Sequence, residues 1–175
     1  MNQPMAASLE IYQVALGAKR LAGELLLPPG FERNAGTARL ASHVEEPGVR
    51  LPIQIETLDR ITNSVEKVHF CKIDVEGLEL EVLQGAEALM RRKGIRDIVY
   101  EDVGGENKRL QRFLLGHGYE LFSLHTNLLK PHLAGFGERR GFKVGVEGEN
   151  FLATLDPDRA KKRFTSFGWK ALRRG

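Results

Sequence analysis

Val49, Leu51, Ile53 and Ile55 alternate with polar or turn-forming neighbours. That period of two predicts a half-buried strand. Two shorter apolar runs precede it. Ile11, Val14 and Leu16 end at Gly17, and residues 21–27 run into Pro28-Pro29-Gly30, where a turn is expected. Residues 33–42 are mixed and could pair with the second run. After Thr57, which can cap a short helix through Ile61, the period changes. Val68, Phe70, Cys71 and Ile73 read as a buried strand over 68–74. Leu78, Val82, Ala86 and Leu89 then recur at helical spacing over 78–92. Ile95, Ile98, Val99 and Tyr100 form the next strand, ending at Glu101-Asp102. Gly104-Gly105 breaks the chain before a helix over 106–116, marked by Leu110, Phe113 and Leu114. A strand over 119–124, a loop over 126–141 rich in Gly, His and Pro, and a strand over 151–155 follow. Residues 142–146 continue that loop or open a hairpin. Asp156-Pro157 starts a basic amphipathic tail helix.

Strands alternating with helices predict an α/β fold with a mostly parallel sheet. The β-rich front, residues 9–56, predicts an antiparallel hairpin attached to that sheet. The expected organisation is a loose N-terminus over 1–8, one domain over 9–155 and a basic tail over 156–175.

Composition narrows the chemistry. A chain of 175 residues can bury a core as one domain. The net charge of +3 does not call for nucleic acid, and none is expected as a partner. The one cysteine, Cys71, excludes an internal disulfide and argues against a thiolate zinc site. No apolar run is long enough to span a bilayer, and no signal peptide is read at the N-terminus, so a cytoplasmic protein is expected. The five histidines lack metal-ligand spacing. His125, after a predicted strand, could line a cleft, and no metal is expected.

Candidate chemistry concentrates where the 68–74 strand meets the helix. Open α/β sheets bind ligands outside the carboxyl ends of their strands. Asp74 and Glu76 fall there, and Gly77 lets the chain turn between strand and helix. Glu101 ends the next strand on the same sheet edge. Such carboxylates can orient a hydroxyl, accept its proton or hold a cation. The bland alternative is a polar strand end with an acid at a helix start. Glu79 and Glu81 read as solvated helix-face residues, Lys72 as a structural partner for a carboxylate, and Asp59 as a helix-start acid. Phe164, Phe167 and Trp169 in the tail read as an aromatic side packing on the domain.

Thr57-Leu58-Asp59, Lys72-Ile73-Asp74-Val75-Glu76-Gly77, Glu79-x-Glu81-Val82-Leu83 and Gly85-Ala86 together resemble the FkbM family of S-adenosylmethionine-dependent methyltransferases. Ile98-Val99-Tyr100-Glu101, Gly118-Tyr119-x-Leu121-Phe122 and Asn150-Phe151-Leu152-Ala153 follow in the family's order. Ala15-Leu16-Gly17 and Gly23 resemble the strand and turn before its hairpin. The resemblance covers roughly residues 10–154 and implies a Rossmann-like class I methyltransferase fold. It implies S-adenosylmethionine as cofactor and a small-molecule or sugar hydroxyl as methyl acceptor. The family's earlier half, with its Gly-rich loop and acidic strand end, has no counterpart here, and Asn34-Ala35-Gly36 lacks the strand-to-helix setting. The expectation is therefore an N-terminally truncated fold, with no cofactor-binding residues assigned and a partner chain as one source of the missing half. Two rivals stand beside the enzyme. One is a non-catalytic relative acting as a binding or partner module. The other is a hydrolase using Asp74, Glu76 and Glu101 around Mg²⁺.

Overall fold

The structure, a computed structural model, describes residues 9–33, 38–41, 46–102, 107–126, 131–136 and 149–164. The expectations for 1–8, Asn34-Ala35-Gly36, Gly104-Gly105, 142–146, Phe167 and Trp169 lie outside these residues.

Two sheets organise the described residues. The front sheet contains β1 (Ala15–Leu16), β2 (Leu21–Leu27), β3 (Arg39–Leu40) and β4 (Val49–Glu56), in the order β1-β4-β2-β3. β2 and β4 pair antiparallel from Leu21 opposite Ile55 to Leu27 opposite Val49, and β1 lies parallel to β4. The main sheet contains β5 (Cys71–Ile73), β6 (Asp97–Asp102), β7 (Glu120–Thr126), β8 (Pro131–Gly135) and β9 (Glu149–Thr154). Its order is β5-β6-β9-β7-β8. The helices are α1 (Leu58–Ile61), α2 (Glu79–Gln84), α3 (Glu87–Arg91), α4 (Lys108–Gly116) and α5 (Pro157–Phe164). Among the described residues no helix is long and apolar enough to cross a membrane.

Five expectations need correction. The main sheet is mixed rather than mostly parallel. β5, β6 and β7 run one way, but β9 enters between β6 and β7 antiparallel to both, and β8 adds an antiparallel edge. The front hairpin belongs to a separate sheet. The 126–141 loop contains β8, whose Pro131 sits at the start of an edge strand, where a missing N–H is tolerated. The helix over 78–92 is two helices, broken at Gly85-Ala86. An added Cβ at Gly85 would lie 2.1 Å from the Gly17 carbonyl oxygen, so the close approach of the front sheet requires glycine there. The 68–74 strand is also shorter than its pattern, with Val68 making only an isolated bridge to Ile95.

The central strands of the main sheet carry buried residues on both faces, which accounts for their continuous apolar runs. Ile73, Ile98, Tyr100, Phe151 and Ala153 pack with Leu80, Leu83, Leu110 and Leu114 in the larger core. Val99, Leu152, Phe122 and Leu133 meet Ala160 and Phe164 of α5 in a smaller cluster. Asp97 ties these parts together. Its carboxylate accepts hydrogen bonds from the Thr154 hydroxyl (2.7 Å) and Arg96 (3.0 Å), and pairs with Arg159 of α5. Burial opposes its charge, but the hydroxyl and the two guanidinium groups outweigh that, so its pKa lies below the usual carboxylate value. The buried Tyr119 hydroxyl donates to the Ile95 carbonyl at 2.6 Å.

The alternating strand β4 is covered only toward its end. Ile55 is 7% exposed, but Val49 and Leu51 are 59% and 43% exposed.

Candidate active site

β5 and β6 are the parallel neighbours whose carboxyl ends place the candidate acids. Their register sets Cys71 beside Ile98, Lys72 beside Val99 and Ile73 beside Tyr100. Continued by one residue, it sets Asp74 beside Glu101. Side chains alternate across a sheet, so Lys72, Asp74, Val99 and Glu101 belong to one face and Ile73 and Tyr100 to the other. Across β6, Glu101 lies opposite Asn150 of β9. Asp74 is exposed and pairs with the Lys72 ammonium group, while Glu101 is half-buried. A lysine at this distance offsets part of the negative charge and gives Asp74 a preferred direction.

Glu76 sits one step further, on the turn into α2, and is exposed. Its φ is +53°, a left-handed conformation that costs a non-glycine residue roughly 1–2 kcal/mol. Gly77 follows at φ +92°. Two consecutive left-handed residues need a restraint, and sequence reasoning missed it. Glu79, expected on a solvated face, is only 3% exposed. Its Oε1 accepts the backbone N–H of Gly77 at 3.2 Å and that of Val75 at 3.4 Å. The signal was present in the sequence: an acid two residues after a turn glycine can reach back to the turn's amides.

Asp59 also differs from its expected role. It is in the first turn of α1, which Thr57 caps through a bond from the Arg60 N–H. Its carboxylate, however, accepts the N–H groups of Ala88 and Leu89, both at 2.8 Å. It therefore caps α3, which has no side-chain cap of its own.

A cleft of about 220 Å³ lies beside these strand ends, lined by Leu16, Leu58, Cys71, Lys72, Ile73, Asp74, Val75 and Val82. Burial raises the Cys71 thiol pKa, which keeps it a neutral, weakly polar wall group. A larger hollow of about 990 Å³ lies on the front sheet, but its charged lining residues are ion-paired, Glu24 with Arg50 inside the hollow and Glu46 with Arg39 outside its lining. The smaller cleft is the better candidate because it reaches the carboxyl end of β5, which the front-sheet hollow does not.

The extended register places Asp74 and Glu101 at neighbouring strand ends, with Glu76 on the turn that follows; of the three, only Asp74 lines the cleft. This arrangement does not form a cation cage. Among the described residues no three His, Cys, Asp or Glu side chains gather closely enough to hold a metal ion, so the Mg²⁺ hydrolase arrangement is not formed. Two acids on neighbouring strand ends can hydrogen-bond a hydroxyl and take up its proton, or favour a cationic group by charge.

No curated protein and no solved structure matches the chain. Residues 5–121 match the methyltransferase FkbM domain, about two thirds of the sequence. The match includes the front sheet, the Asp74–Gly77 turn and both acid-bearing strand ends, and the chain belongs to the FkbM methyltransferase family.

Proposed function

We propose that the chain carries the acceptor-binding side of an S-adenosylmethionine-dependent O-methyltransferase acting on a hydroxyl of a small molecule or sugar. The observation that carries this reading is the pair of acids, Asp74 and Glu101, on adjacent strand ends of a methyltransferase-family domain. Asp74 borders the cleft, where it would accept a hydrogen bond from the acceptor hydroxyl and take up its proton. Glu101 would orient the same hydroxyl or a neighbouring one. Positioning of this kind supplies much of the rate in a transfer that needs its reactants aligned.

The candidate cleft does not by itself fit the cofactor. The cleft of about 220 Å³ falls below the roughly 300–1,000 Å³ of small-molecule sites. No step is therefore assigned through S-adenosylmethionine, which in this reading is the methyl donor. The rest of its seat would come from residues beyond those described, a partner chain being one source. The same small cleft favours a second reading, a relative that serves as a binding or partner module without turnover.

Two measurements separate the readings. Calorimetric titration of the 175-residue chain with S-adenosylmethionine should give weak binding or none. A low-micromolar dissociation constant would mean that other residues complete the seat. Methyl transfer from labelled cofactor to a panel of sugars and small alcohols, with the chain alone and with co-purifying partners, should give hydroxyl methylation in an active form. Transfer only to nitrogen or carbon acceptors would overturn the acceptor class. No transfer in any form would leave the binding module.

A further inference from the structure

Glu79 has no task in the function just proposed, yet its setting is the most constrained in the site. A carboxylate at 3% exposure is costly unless its oxygens are hydrogen-bonded. Its partners are the amides of Val75 and Gly77, at 3.4 and 3.2 Å. These are the first and third amides of a turn whose Glu76 and Gly77 are both left-handed. Amides arranged in such a turn form a concavity that holds an anion. Here the chain supplies that anion itself. Tethering the amides on both sides of Glu76 holds this residue in a conformation it would otherwise leave. It also fixes the peptide that follows Asp74.

We propose that Glu79 is the positioning residue of the acidic turn: an internal anion that occupies the amide concavity, holds Asp74 and Glu76 in place, and closes the turn to external anions. The turn then presents carboxylates, not amides, to a ligand. The ligand recognised there is neutral or cationic, and a phosphate or carboxylate group is rejected. This rests on the acceptor-site reading above, but its test does not depend on turnover alone.

The test uses the whole chain carrying Glu79→Ala, Glu79→Met or Glu79→Gln. Gln keeps an oxygen acceptor, Met keeps the volume without one, and Ala vacates the space. Amide hydrogen exchange read by NMR should show Val75 and Gly77 losing about tenfold in protection in the Met and Ala variants, as for one lost hydrogen bond. Gln should restore it, and Val99 and Tyr100 in β6 should be unchanged in all three. Titration with inorganic phosphate should move the Val75 and Gly77 amides in Glu79→Ala and leave the parent protein unaffected. If Ala fails to fold, the Met and Gln pair still decides the positioning. Unchanged protection at the turn in Met, or protection lost equally across β6, would overturn the proposal, as would phosphate moving the same amides in the parent. In an active form, Met should lower kcat with little change in KM, and Gln should recover it. If the parent itself transfers no methyl group, the function fails while the exchange result still decides the role of Glu79.

Discussion

At the scale of single residues, charge and burial divide the acids into three kinds of work. Asp74 is exposed and borders the cleft, so Asp74→Asn should leave folding nearly intact. If it accepts the acceptor's proton, turnover in an active form should fall roughly 10²–10⁴-fold. Full turnover in that variant would remove Asp74 from the chemistry, and simple unfolding would reduce it to an anchor of the turn. Asp97 does the opposite kind of work. Its pKa is depressed in the folded chain, so its charge stabilises the fold above the unfolded-state value, near pH 4, and that stability fades as pH falls through the folded value. Asp97→Asn should cost about 2 kcal/mol at pH 7, read as a fall of roughly 4–8 °C in thermal midpoint. The gap between variant and parent should narrow below about pH 4. A gap that stays constant down to pH 2 would show that the carboxylate's charge is not what matters. Asp74, Glu76 and Glu101 could be picked out from sequence because strand ends and turn residues are local signals. The roles of Glu79 and Asp59 could not, because each is set by where a carboxylate reaches in space. Asp59 spans 29 and 30 residues to the amides it caps.

At the scale of elements, local signals were legible and partnerships were not. The Thr57 cap, the run ending at Leu27 and the alternation through Ile55 all reflect contacts within a few residues. β9 reads as a strand by itself, but nothing in Phe151-Leu152-Ala153 says that it inserts between β6 and β7. β8 was hidden because Pro131 and Gly135 carry turn chemistry, and only the edge of β7 makes that segment a strand. The glycine at the break between α2 and α3 likewise answers to something outside the helix, the Gly17 carbonyl. Two glycine substitutions separate these causes. Gly85→Ala places a Cβ against backbone that cannot move without shifting β1, and should cost about 3 kcal/mol. Gly77→Ala meets nothing within 4 Å and should cost only the left-handed strain, about 1–2 kcal/mol. Denaturant titration that ranks them the other way would place the tight contact elsewhere.

At the scale of the whole molecule, the two sheets meet along a narrow strip. The Asp59 N–H bonds the Gly85 carbonyl at 2.9 Å, its carboxylate caps α3, and Leu16 and Leu58 pack on the main core. The candidate cleft lies on this strip, with Leu16 and Leu58 on one wall and Cys71, Ile73 and Val82 on the other. Such a seam turns occupancy into a mechanical signal. The front sheet, half-covered at Val49 and Leu51, should open as a separate cooperative unit at lower free energy than β6 and β9. A compound wedged in the seam binds only while that unit is closed, so it should slow exchange at Ile55 and Gly17 by the factor its concentration sets relative to its dissociation constant. The front sheet thereby becomes a built-in reporter for ligand screening, readable without knowing the reaction. Occupancy that leaves those amides unaffected would mean that the two sheets breathe independently of the cleft between them.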